Sequence, residues 1–303
     1  MLGIYLELGA CISVFLFGPI PMSVFPTARS SVKKSELPIG IFDSGVGGLT
    51  VVRQIHRVLP HENLVYLGDT ARVPYGTKSP STVVRFACED LQFLLQQNVK
   101  AVVVACNTVS AWAMPALQRK FDLPIFGVII PGACAALESS RNQRIGVIGT
   151  SATIRSQAYS KAILARCDTA QVFPRACPLL VPLVEEAWNG HPITLRVLRE
   201  YLLPLLRHRI DTLVLGCTHY PLLKEAIRTV TKGKIALIDS AESCALDVKE
   251  RLAALKLLSA NRKTRGTIQP FVTDEVERFD ELAARFLGQK TEPAWKIDLM
   301  TVN

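Results

Sequence analysis

The chain has 303 residues, 49% of them hydrophobic and 20% charged, with a formal net charge of +9. That length accommodates two domains of ordinary size, and the composition excludes a disordered, collagen-like or disulfide-stapled chain. The mild basic excess suits acidic partners, from dicarboxylate metabolites to nucleic acid or anionic lipid. It is not gathered in one arm, and the knots at Arg207-His208-Arg209 and Asn261-Arg262-Lys263-Thr264-Arg265 read as solvated loops and helix ends.

Residues 1–36 read as an extension and linker. Leu8–Ile20 is apolar and uncharged but shorter than the ~20 residues a membrane-spanning helix needs. Its flank carries Glu7 and neither Lys nor Arg, the wrong sign for a secretory signal. A start at Met22 is an equal reading, and the segment carries no functional weight. From Ile39 onward, short Val/Ile/Leu runs alternate with amphipathic stretches, the pattern of parallel sheets covered on both faces. Strands are predicted at Ile39–Phe42, Leu64–Leu67, Ala101–Ala105, Ile125–Val128, Ile145–Ile148, Thr212–Leu215 and Ile235–Ile238. Helices are predicted at Ser81–Gln97, opened by Ser79-Pro80, and at Ser156–Arg166.

A weak internal echo follows. Ile39-Gly-Ile-Phe-Asp43-Ser44 opens one half and Ile145-Gly-Val-Ile-Gly-Thr150-Ser151 another. After a similar interval each half reaches an apolar strand ending in cysteine, Val103-Val-Ala-Cys106-Asn107-Thr108 and Val214-Leu-Gly-Cys217-Thr218-His219. Such an echo predicts two similar α/β units. In open α/β sheets ligands bind beyond the carboxyl ends of the strands, and the polar clusters Asp43-Ser44, Asp69-Thr70, Cys106-Asn107-Thr108, Thr150–Thr153 and Cys217-Thr218-His219 all fall at such ends.

Two thiols across one cleft would take a proton from one face of a bound carbon acid and deliver one to the other. A following helix N-terminus would tune each thiol down from its usual value toward neutrality. Ser44, Asn107, Thr108, Thr150, Thr153 and Thr218 would fix carboxylates as neutral donors. Taken singly, each element has a plainer reading. Gly45-Val-Gly47-Gly48 lacks the Lys-Ser/Thr of a phosphate loop and reads as a tight turn, a cysteine is commonly core filler, His219 a structural hydrogen-bonding residue and Asp43 a helix cap. The eight cysteines and five histidines show neither Cys-x-x-Cys nor metal-ligand spacing, so free thiols are expected.

At these residues the chain resembles the glutamate racemases of the aspartate/glutamate racemase group. The resemblance rests on Ile41-Phe-Asp-Ser-Gly-Val-Gly-Gly-Leu-Thr50, Gly68-Asp-Thr-Ala-Arg-Val-Pro-Tyr-Gly76, Val104-Ala-Cys-Asn-Thr108, Gly146-Val-Ile-Gly-Thr-Ser-Ala-Thr-Ile154, Pro178-Leu-Leu-Val-Pro-Leu-Val-Glu-Glu186, Leu215-Gly-Cys-Thr-His-Tyr-Pro221 and Phe271-Val-Thr-Asp274, in order. It implies two similar flavodoxin-like, doubly wound parallel-sheet domains related by pseudo-symmetry, with the site in the cleft between them. The first would take 37–132 plus 240–290, the second 133–239, leaving a tail at 291–303.

By the same resemblance Cys106 would be the base for D-glutamate and Cys217 the base for L-glutamate. Asp43 and His219 would assist them, with Glu185 a further helper, and Ser44, Tyr75, Gly76, Asn107, Thr108, Thr150, Thr153 and Thr218 would hold substrate. It implies neither pyridoxal phosphate nor metal, a cytoplasmic homodimer, no need of membrane or nucleic acid, and in some members a peptidoglycan-precursor activator. The product would supply peptidoglycan. Competing readings are an aspartate racemase, a thiol hydrolase using Cys217 with His219, and a non-catalytic binding protein. For the hydrolase, a histidine two positions along a tight turn is expected to be poorly placed as a base.

Overall fold

The computed structural model describes residues 33–299. The apolar run at 8–20, the alternative start at Met22 and residues 300–303 lie outside the described residues. Within them ten strands form two sheets: β1 (Ile39–Asp43), β2 (Leu64–Gly68), β3 (Ala101–Val104), β4 (Ile125–Gly127), β5 (Arg144–Gly149), β6 (Gln171–Ala176), β7 (Thr212–Gly216), β8 (Ala236–Asp239), β9 (Ile268–Val272) and β10 (Trp295–Lys296). Every pairing is parallel.

The first sheet runs β10-β9-β2-β1-β3-β4 and the second β6-β5-β7-β8. The segment β2-β1-β3-β4 is wound in the same order as β6-β5-β7-β8, so the echo in the sequence corresponds to a repeated α/β unit. In each unit the chain starts in the middle, steps to one side, then crosses to the other. Strands β9 and β10 extend the first sheet alone.

Burial explains why the inner strands are apolar without a break. Every residue of β1, β2, β3 and β7 is buried. Alternate side chains serve opposite faces: Ile39, Ile41, Leu64 and Tyr66 join one core cluster, with Leu49 and Ile55 of the helix Leu49–Val58. Phe42, Val65 and Leu67 join another, with Val83, Leu91 and Leu94 of the helix Pro80–Gln96. Full burial of such a side chain contributes roughly 1.5–3 kcal/mol, so a register slip that reversed the faces would cost many such terms.

Two local readings are corrected. The helix expected at Ser156–Arg166 is two helices, Ser151–Ser156 and Ala158–Leu164, broken at Gln157, whose φ is 57°. Ser156 causes the break to hold: its hydroxyl donates to Thr153 O and accepts from the Ala158 N–H, the competition with helix geometry that serine favours. Strand β6 was not expected. It is an edge strand, largely uncovered and containing Pro174, so it lacks the apolar run by which a covered strand is recognised. Among the described residues no helix is long and apolar enough to cross a membrane, and all seven cysteines are free thiols.

Candidate active site

The two units present their strand ends to one another. Ser44 follows β1, Cys106 closely follows β3, Thr150 follows β5 and Cys217 follows β7. The β1/β3 and β5/β7 neighbours are where the strand order reverses, the position at which doubly wound sheets open a crevice. Between them lies a cavity of about 410 Å³. Its wall contains both thiols, Ser44, Tyr75, Gly76, Asn107, Thr108, Thr150, Glu185, Thr218 and His219, with Val73, Pro74, Pro178, Val181 and Pro182 as apolar lining. Asp43 and Thr153, both buried, do not line the cavity and stand behind it.

On one side, His219 Nδ1 lies 3.9 Å from Cys217 Sγ and its Nε2 lies 2.9 Å from Glu185 Oε1. Burial alone would lower the imidazole, but the contacts with Cys217 and Glu185 outweigh it and push His219 up to about 10. Burial would likewise raise Glu185, yet the hydrogen bond and charge of His219 hold it below the usual carboxylate range. Phe286 meets the imidazole edge-on, ring centroids 5.2 Å apart. The histidine two residues beyond the cysteine is therefore well placed to serve the thiol, contrary to the expectation from chain spacing. The turn after Cys217 folds the ring back over the sulfur.

That folding needs a glycine opposite. A Cβ on Gly47 would stand 2.3 Å from Thr218 Oγ1 and 2.4 Å from His219 Cε1. The Gly45–Gly48 turn is thus a close approach between the units, and Thr50 completes the contact by donating to Thr218 O at 3.0 Å.

The other thiol differs. Cys106 Sγ lies 3.8 Å from Ser44 Oγ. Burial, then the neighbouring Asp43 charge, push this thiol far above its ordinary value, while the Val109 N–H pulls the other way and loses. The expected lowering by the helix end is corrected here, because desolvation of a buried anion outweighs one amide dipole. Asp43 accepts from the Gly48 N–H at 2.7 Å, and burial raises its carboxyl above the usual range against the pull of His219. Its Oδ1 is buried without a hydrogen-bond partner.

Hydroxyls and an amide join the two units. Thr108 Oγ1 lies 2.9 Å from Thr150 Oγ1 and 3.2 Å from Thr153 Oγ1. Asn107 Oδ1 accepts from the Tyr159 hydroxyl at 2.7 Å. Tyr75 contributes to the wall while its hydroxyl is turned to Asp69 and Asp90. Tyr159, Thr50 and Phe286 were not anticipated as site residues: they act through contacts far along the chain, and only Thr50 lies in a quoted motif. Val181 and Pro182 lie inside a segment singled out by its motif. Among the described residues no group of three or more His, Cys, Asp or Glu is placed to hold a metal ion.

Such a cavity sets one thiol beside an imidazolium, keeps the other protonated, and offers neutral donors to carboxylates. The Asp/Glu/Hydantoin racemase family profile matches residues 39–246. A glutamate racemase of Geobacter metallireducens is 49% identical over 261 residues, 86% of this chain and 96% of the relative. Glutamate racemase isoform RacE1 of Bacillus anthracis superposes with a TM-score of 0.84 at 40% identity, covering 88% of this chain and 98% of that one. Glutamate racemase of Francisella tularensis, in complex with D-glutamate, gives 0.81 at 36%, covering 88% and 98%. The Escherichia coli enzyme, in complex with L-glutamate and the activator UDP-MurNAc-ala, gives 0.71 at 29%, covering 86% and 98%.

Proposed function

The chain belongs to the glutamate racemases of the Asp/Glu/hydantoin racemase family, and from that membership we propose that its cavity interconverts L- and D-glutamate by proton transfer between Cys106 and Cys217. The observation that carries this reading is the pair of thiols in one cavity, each following the inner strand of its own unit. In the L to D direction Cys217, as thiolate, takes the α-proton, and Cys106, as neutral thiol, gives its proton to the opposite face. The reverse reaction exchanges the roles.

His219, positively charged at neutral pH, stabilises negative charge on Cys217, and Glu185 orients it. Asp43 serves Cys106. Ser44, Tyr75, Gly76, Asn107, Thr108, Thr150, Thr153 and Thr218 hold the substrate, Thr153 through its contacts with Thr108 and Thr150. The apolar lining keeps water from the carbanion and strengthens every electrostatic contact there. The row Cys217-His219-Glu185 would also suit a thiol nucleophile, but that chemistry leaves Cys106 without a task.

We assign 37–132 with 240–290 to the lobe that carries Cys106 and 133–239 to the lobe that carries Cys217. We also take the enzyme to act as a cytoplasmic homodimer that feeds D-glutamate to peptidoglycan synthesis. A peptidoglycan precursor is a candidate activator, as in the E. coli complex.

The test is proton NMR of the protein with L-glutamate in D₂O, without added cofactor, beside polarimetry. Loss of the α-proton signal with decay of rotation is expected, and the first D-glutamate formed should carry deuterium while the remaining L-glutamate is still protonated. Absence of exchange, with and without a peptidoglycan precursor, would overturn the reading, and exchange of aspartate instead would move the chain to another substrate.

A further inference from the structure

We infer that Arg72 is a positioning residue for the reaction: by bridging Asp69, Glu89 and Asp90 it fixes the Tyr75–Thr77 turn that walls the substrate cavity. The inference rests on the racemase reading and adds a residue that never touches the cavity itself. Arg72 lies in the short loop after β2, and its guanidinium uses all three nitrogens. Nε donates to Asp69 Oδ2 at 2.6 Å, Nη2 to Asp90 Oδ1 at 2.9 Å, and Nη1 to Glu89 Oε2. Only a planar fork can address three carboxylates in this way. The Phe86 ring lies beneath it, 4.1 Å from the guanidinium carbon.

The same carboxylates hold the turn. Tyr75 donates its hydroxyl to Asp69 Oδ2, with Asp90 Oδ2 3.3 Å away, and its ring packs on Phe86 at 5.4 Å. Thr273, beyond the end of β9, donates to Asp69 Oδ1 at 3.0 Å. Asp69 and Asp90 are completely buried, so their oxygens depend on these partners in place of water; burial, then the neighbouring Asp69, raises the Asp90 carboxyl well above its usual range. From this anchored base Tyr75, Gly76 and Thr77 reach the cavity wall. Gly76 also presses on the second unit: a Cβ there would lie 2.9 Å from Thr150 Cβ. The network therefore sets where the first unit's loop stands against both the substrate space and the opposite strand end.

A wall that contacts glutamate in the ground state and the transition state alike contributes uniform binding, so its displacement raises KM and spares kcat. In Arg72→Lys, which keeps the charge but loses the fork, KM for glutamate should rise about tenfold or more with kcat within about threefold. Glu89→Gln, which removes one partially exposed carboxylate and leaves the cavity untouched, should raise KM less and unfold at nearly the wild-type temperature. In Arg72→Ala, added guanidinium should lower KM again. A role confined to stability predicts a lowered Tm with unchanged KM in both Arg72→Lys and Glu89→Gln, and that outcome overturns the proposal. So does loss of kcat at constant KM. If Arg72→Lys does not fold, the KM of Glu89→Gln decides. Failure of the racemase reading is distinguishable, because the wild-type protein would then leave glutamate unexchanged in D₂O.

Discussion

The two thiols sit in unlike surroundings although each is only 6% exposed. Cys217 has a charged imidazole at its sulfur, backed by a carboxylate. Cys106 has a hydroxyl and a buried aspartate, and stays a thiol at neutral pH. In the mechanism proposed above, this asymmetry would supply one base and one acid for the L to D direction. Cys106→Ser and Cys217→Ser are each expected to abolish racemisation while leaving the circular dichroism spectrum unchanged, since oxygen is nearly isosteric with sulfur but a hydroxyl is far too weak an acid. Because enantiomers have equal free energy, any residual kcat/KM must fall equally in both directions. Substantial turnover by either variant would remove the two-base mechanism.

Between elements, a single carboxylate ties the loop after the helix Ile129–Ser139 to the start of β7. Asp211 Oδ1 accepts from Ser140 Oγ at 2.6 Å and Thr212 Oγ1 at 3.0 Å, and Oδ2 accepts from the Arg141 and Asn142 N–H groups at 2.7 and 2.9 Å. Burial would raise this carboxyl, but the donors together hold it below its unfolded value of 3.8. A depressed folded pKa stabilises the folded state above the unfolded value and ceases to do so as pH falls through the folded one. Asp211→Asn should therefore cost on the order of 1 kcal/mol near pH 7, discounted for solvent screening, and the gap from wild type should close on acidification below 3.8. Urea unfolding midpoints across that range measure it; a gap independent of pH would show that charge is not the cause.

Across the whole molecule, a ligand held by both units must be paid for by neither alone. Thr108 meets Thr150, Asn107 meets Tyr159, Thr50 meets Thr218, and Trp112 Nε1 donates to Ala152 O at 3.1 Å. These contacts close the space in which glutamate would lie. A ligand bound to the folded state alone adds about 2.7 kcal/mol at a hundredfold excess over its Kd. Saturating L- or D-glutamate should raise Tm measurably, and equally whichever enantiomer is added, because the enzyme equilibrates them. Thermal scans with glutamate and with aspartate check this, and stabilisation by aspartate alone would point to a different substrate.

The sequence by itself determined the inner strands, the polar clusters at their ends, the repeat and the two thiols. Those features are local in origin: a strand covered on both faces must be apolar throughout, and a strand-end motif is contiguous in the chain. The edge strand β6 was not legible because exposure freed it from that constraint, and the break at Gln157 was not because a serine hydroxyl competed with the helix. Only the tertiary structure decided the state of the groups. Desolvation raised Cys106 against its helix end, and Glu185, far from His219 in sequence, reached its imidazole. Asp69, Glu89 and Asp90 converged on Arg72. Proton affinity depends on what surrounds an atom in space, and these surroundings are assembled from segments that have no common position along the chain.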